Sequence, residues 1–175
     1  MERTTNYKIT NKLYLGFDNG VSGTIAAIYN DKVWFQKTPI LKEQNYTKKK
    51  GNISRIDFLA FKKWIDGILE ECTPKSCFCL IERPMVNPGR FTATISALRA
   101  LEATLIIVEQ TGLPFQYVDS KEWQRVLLPR GSKGDQLKTD SRDMGMRLFP
   151  EFTEMIKKHK DADGLLIAEY CRRYY

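Results

Sequence analysis

Three short apolar segments follow one another with almost no chain between them. Residues 13–18, 24–29 and 33–38 each have a strand's length, and Asn19-Gly20 and Asn30-Asp31 supply turns between them. Parallel strands need a crossover of a dozen or more residues, so strands this close pair antiparallel, as a meander. Downstream the pattern changes to alternating helices and strands. Residues 39–53, with Pro39, Lys48, Lys49, Lys50 and Gly51, read as an exposed basic loop. Ser54 is the expected N-cap of a helix, with Asp57 three residues on. Phe58, Phe61, Ile65, Ile68 and Cys72 recur at helical spacing until Pro74 stops them.

Residues 77–81 form a buried strand that runs into Glu82, and 83–90, with two prolines and a glycine, form a loop. Ile95, Leu98, Leu101, Leu105 and Val108 mark a second helix, closed by Gly112. Residues 115–118 are a fifth strand, and Ser120 is the expected cap of a short helix through Leu128. A glycine-containing basic loop covers 130–134. A helix spans 136–149, stopped by Pro150, and a last helix runs from about Asp161 to the C-terminus. The expected architecture is α/β: a mixed five-stranded sheet, antiparallel meander plus parallel strands, with helices on both faces. The 175 residues suit one domain, 1–175.

Several classes are disfavoured. The apolar runs, such as 105–108, are far shorter than the roughly 20 residues of a membrane span, so no membrane association is expected. The N-terminus lacks the apolar stretch of a secretory signal, and the expected location is cytoplasmic. The four cysteines then read as reduced thiols. Cys77 and Cys79 share one face of a strand but have no second pair to complete a zinc site. The single histidine, His159, sits in a lysine-rich stretch and reads as part of a solvated face.

Three carboxylates stand out from the polar background. Asp18 ends the apolar strand LYLGF, Glu82 ends CFCLI, and Asp163 opens the apolar terminal helix beside Asp161. Each has an ordinary reading: an Asx-turn for Asp18, an ion pair for Glu82, an N-cap for Asp161. Together they point elsewhere. The first and fourth strands can be neighbours in this sheet, and the terminal helix can lie beside their ends. Buried carboxylates are costly unless paired or bound to a cation. Hard divalent ions take such oxygen sets and bridge to phosphate. The chain also carries 28 Lys and Arg against 21 Asp and Glu, a net charge of +7, which favours a polyanionic partner.

These stretches resemble the RuvC-like Holliday junction resolvases of the RNase H-like nuclease superfamily, most closely the compact phage-type members. The matching segments are LYLGFDNGVSGTIAAI, CLIERP, ISALRALEATLIIVEQTGLPFQYVDSKEWQRVLL, LKTDSRDMGMRLFP and DADGLLIAEYCRRYY, in the family's order. The resemblance implies catalysis and metal binding by Asp18, Glu82 and Asp163, with Mg²⁺ as cofactor, Mn²⁺ as substitute, and two ions per site. It implies cleavage of four-way junctions and other branched DNA by a two-fold homodimer, leaving a 5′-phosphate and a 3′-hydroxyl. Bacterial members place an aspartate three residues before the last one, where this chain has Lys160. Asp161 stands two residues before Asp163, and on a regular helix that is about 200° of rotation. Asp161 completes the cluster if it lies at the N-cap, outside helical geometry; His159 is the rival. Met85 stands where the family carries an aromatic wedge, with Phe91 further along. Lys138 matches a phosphate-contacting lysine, and Arg130 and Lys133 are expected on the DNA backbone. Two other readings remain at this point: a ribonuclease acting on RNA–DNA hybrids, and a non-catalytic DNA-binding module.

Overall fold

The structure is a computed structural model and describes residues 11–44 and 51–175. Lys48, Lys49 and Lys50 lie outside the described residues. The meander forms as expected: β1 (Lys12–Phe17), β2 (Thr24–Tyr29) and β3 (Lys32–Lys37) pair antiparallel. Two crossovers follow. Helix α1 (Phe58–Cys72) leads to β6 (Ser76–Glu82), parallel to β1, and α2 (Phe91–Thr111) leads to β7 (Phe115–Val118), parallel to β6. The sheet order is β3-β2-β1-β6-β7. The chain closes with α3 (Ser120–Leu127), α4 (Gln136–Leu148), α5 (Thr153–His159) and α6 (Asp163–Tyr174).

Alternation along the strands divides the core. Leu13, Leu15 and Phe17 point to one face, where Phe61, Ile65 and Ile68 of α1 and Ile107 and Val108 of α2 cover them. Tyr14, Leu80, Ala26 and Ile28 point to the other, covered mainly by α6 through Leu165, Leu166, Ile167 and Ala168. That is why the terminal helix is apolar almost all round: it is sandwiched between the sheet and the α3–α5 layer.

Three expectations at element boundaries need correction, and one element was not anticipated. Residues 39–53 are not a loop throughout: β4 (Ile40–Gln44) and β5 (Asn52–Ile56) pair antiparallel as a separate two-stranded sheet. Their alternation is weak because they are mostly exposed, and Glu43 and Arg55 pair across them at 2.5 Å. Ser54 therefore lies in β5, and Asp57 caps α1, accepting from the Ala60 amide at 3.1 Å. Asp119, not Ser120, caps α3, in a reciprocal box with Glu122. The segment after Pro150 forms a 3-10 turn and then α5, which buries only Ile156 and so carries no periodic stripe.

The expectation of short apolar runs also needs qualification. Alanines and threonines link them, so Pro88–Thr111 is long and apolar enough, by length and composition, to cross a membrane. Ala100, Thr104, Ile107 and Val108 face the core, while Phe91, Ile95, Leu98 and Ile106 are exposed.

Candidate active site

The parallel pairing of β1 and β6 aligns Phe17 with Ile81, so the next residues, Asp18 and Glu82, stand side by side at the strand ends. Their carboxyl groups are near enough that each shifts the other's protonation. Asp18 is held in line by its own N–H, which donates to the Thr24 carbonyl at 3.0 Å.

Helix α6 reaches this edge because two glycines let it sit on backbone. A Cβ on Gly16 would lie 2.1 Å from the Ala168 nitrogen, and one on Gly164 would lie 2.5 Å from the Thr24 oxygen. The first turn of the helix is thereby pressed against β1 and β2, with Asp163 beside Asp18. Asp161 lies before the helix. Lys160 ends α5 in the left-handed region, at φ 59°, and turns the chain. The Asp161 carboxylate then accepts from the Asp163 N–H at 2.8 Å and from the Thr24 hydroxyl at 2.8 Å. Thr24 completes the link by accepting from the Gly164 N–H at 3.0 Å. The divergence of a regular helix does not arise, and Asp161, not His159, joins the cluster. One carboxylate oxygen each from Asp18, Asp161 and Asp163 lie within 4.8 Å of one another. Glu82 stands at the flank of this trio, against Asp18.

The supporting groups are specific. The indole N–H of Trp123, itself fully buried, donates to Glu82 Oε1 at 2.9 Å. The Ser141 hydroxyl donates to Asp163 Oδ1. Three of the carboxylates are raised, Asp18 and Asp163 most. Burial, then the charges of Asp161, Glu82 and Asp163, push Asp18 well above its usual range. Burial raises Glu82, against the opposing hydrogen bond from Trp123. Burial and the Asp161 charge raise Asp163 to about 7, while Lys138 lends a partly compensating positive charge. Elsewhere the chain neutralises a buried carboxylate with two arginines, Arg172 and Arg173 on Glu169. Among the described residues the cluster has no such counterpart. All-oxygen donors, half-buried together and mutually repelling, fit a hard divalent cation, which reverses the sign of each repulsion.

A cavity of about 360 Å³ adjoins the cluster, lined by Glu82 and Asp163 at one side and by Asn19, Arg83, Met85 and Arg90 around it. Met85 is 80% exposed there. Phe91 is also exposed. Arg130 and Lys133 do not touch the trio. They line a separate cavity of about 610 Å³ with Lys121 and Arg125, between α3 and the start of α4. His159 is not a solvated side chain: its ring packs on Phe35 with centroids 5.8 Å apart. Burial and the nearby Lys37 and Lys158 lower its pKa.

Trp123, Ser141 and Thr24 carry the second rank of this site and were not singled out from the sequence. Ser141 does leave a trace there, three residues after Lys138 and so on the same face of α4.

A mixed sheet of this order, with carboxylates gathered at the ends of its parallel pair, is the RuvC and RNase H-like fold. Among solved structures, the chain is similar to RuvC of Thermus thermophilus in complex with a Holliday junction substrate, at 13% identity and a TM-score of 0.53. That match covers 93% of this chain and 96% of the other. A second structure of Thermus thermophilus RuvC matches at 12% identity, with a TM-score of 0.47 over 89% and 90% of the two chains. The yeast mitochondrial Holliday junction resolvase matches at 16% identity, with a TM-score of 0.40 over 98% and 87%. The likeness to the complexed RuvC establishes the fold. No protein-family model matches the chain, and no curated protein matches it in sequence.

Proposed function

We propose that the chain is a metal-dependent endonuclease that cuts branched DNA, four-way junctions foremost. The observation that carries this reading is the convergence of half-buried Asp18, Asp161 and Asp163 oxygens within 4.8 Å, with no ion-paired cation among the described residues. Two Mg²⁺ ions, or Mn²⁺ in their place, held by Asp18, Glu82, Asp161 and Asp163 would activate water and stabilise the leaving oxygen of a phosphodiester. Around that centre the chain's own residues have distinct tasks. Trp123 fixes the orientation of Glu82, Ser141 that of Asp163, and Thr24 that of Asp161. Lys138, close enough to Asp163 to shift its protonation, would meet the scissile phosphate. Met85 reaches out beside Glu82 to part the base steps at the branch.

Symmetric cutting of a four-way junction requires two sites, hence a two-fold homodimer. The exposed apolar face of α2, with Ile95, Leu98 and Ile106, is the surface assigned to the second copy.

The substrate is tested with labelled four-way junction, linear duplex and RNA–DNA hybrid, each incubated with the protein and Mg²⁺. Paired symmetric nicks in the junction are expected. Preferential cutting of the hybrid would move the chain to the ribonuclease reading, and binding without cutting in any metal would leave a DNA-binding module.

Phosphate contact by the α3–α4 cavity has its own signature. Each phosphate neutralised contributes about 0.9 to the slope of log affinity against log salt. Joint substitution Arg130→Ala and Lys133→Ala should flatten that slope by about 2, read by fluorescence anisotropy on a junction. An unchanged slope would remove both residues from the interface.

A further inference from the structure

A third cavity lies on the α1 face of the meander, separate from the two described above. It is about 710 Å³ in volume and runs between the free edge of the sheet and α1. Its walls include two half-buried indoles, Trp34 on β3 and Trp64 on α1, with Lys63 beside Trp64. Glu71, also on the wall, is paired with Lys32 at 3.0 Å. Two features mark the groove as more than a seam. Thr38 lines it, is only 5% exposed, and has a buried hydroxyl with no hydrogen-bond partner. Gly67 lines it from the interior of α1, where glycine costs about 1 kcal/mol relative to alanine, yet a Cβ there would meet nothing within 4 Å. Packing does not require this glycine, and its absent side chain leaves the space open.

The groove also connects to the carboxylates. Lys37 is the register partner of Thr24, whose hydroxyl holds Asp161. The Thr38 N–H donates to the Gly23 carbonyl at 3.0 Å, and Gly23 is packed against Asp18. One end therefore opens at the active-site edge of the sheet, and the other descends past Trp34.

We infer that this groove seats an unpaired DNA strand leaving the active-site edge, with bases stacked on Trp34 and Trp64 and a phosphate met by Lys63. Paired aromatic faces with flanking positive charge are the usual means of holding single strands without regard to sequence. Continuity with the carboxylate cluster and the positive charge favour a nucleic acid strand over a peptide. The inference rests on the branched-DNA reading for the identity of the ligand, and it adds that branches with a single-stranded arm are bound through a surface of their own.

The test uses the full chain in EDTA with a fluorescein-labelled oligothymidylate of about 12 nucleotides, followed by anisotropy and by tryptophan quenching. Trp34→Leu removes one stacking face, and Gly67→Leu fills the groove. Each should weaken binding at least about fivefold, the lower end for loss of one stacked base. Gly67→Leu should raise the melting temperature, which separates lost binding from lost fold. Oligothymidylate affinity unchanged in both variants would overturn the inference, and would do so if the groove instead docks a peptide. Junction cleavage by the unmodified chain is measured in parallel. Groove-dependent oligothymidylate binding with no junction cleavage would sustain the inference and sink the nuclease reading, whereas cleavage without groove-dependent binding would do the reverse.

Discussion

Replacing Asp18 with Asn is expected to stop cleavage and, in the absence of metal, to make the protein more stable. Both effects have one cause. Asp18 is half-buried beside Glu82, Asp161 and Asp163, and its ionisation is opposed by desolvation and by each of those charges. An amide of the same shape removes one charge from the cluster and with it part of the repulsion. The sign of the pH dependence follows. Asp163 is raised from 3.8 to about 7, so in the metal-free state the folded form holds its proton where the unfolded form has lost it. Stability from this group is fully present below its ordinary value and is lost as pH rises through about 7. Metal-free melting temperatures at pH 8 should therefore be higher for Asp18→Asn than for the unmodified chain, and saturating Mg²⁺ should reverse that order. Cleavage should fall on the order of 10³-fold, since metal-centred charge stabilisation is worth several kcal/mol. A variant that is less stable than the parent in EDTA at that pH would show that the carboxylates are not in conflict.

Gly16→Ala should be among the most damaging single substitutions outside the carboxylates. The new methyl would lie 2.1 Å from the Ala168 nitrogen and 2.6 Å from the Gly164 oxygen, both backbone atoms that no rotamer change can move aside. Helix α6 would have to lift from β1, and it carries both Asp163 and the fully buried Leu165 and Leu166. Overpacking costs about 1–3 kcal/mol where side chains can yield; here the upper end is the expected minimum. In a domain of this size about 3 kcal/mol lowers the melting temperature by roughly 6–12 °C. The same substitution at Gly67, which meets nothing within 4 Å, should be neutral or stabilising. Thermal melts of the two variants side by side check this, and equal melting temperatures would contradict the close seating of α6.

Much of this was legible in the chain. The spacing of residues 13–38 forced a meander, and the structure pairs those strands antiparallel as expected. Carboxylates at the ends of LYLGF and CFCLI declared themselves because a charge next to a core strand is conspicuous. Asp161 was harder. Its place depends on a left-handed Lys160 and on a hydroxyl from Thr24, 137 positions away in sequence. Trp123 and Ser141 were silent for a related reason: an indole and a hydroxyl are common in any helix, and only their carboxylate partners make them informative. The β4–β5 pair left little signal because it faces solvent, and its exposed positions were free to be charged. His159 misled through its lysine neighbours, since the ring turns inward onto Phe35.

The most direct measurement is strand cleavage of a labelled four-way junction by the purified chain, in EDTA and then with Mg²⁺ or Mn²⁺ restored, with Asp18→Asn alongside. The account predicts no cutting in EDTA, paired nicks on metal addition, and none from the variant in either metal. Equal cutting in EDTA, or full activity in Asp18→Asn, would contradict it.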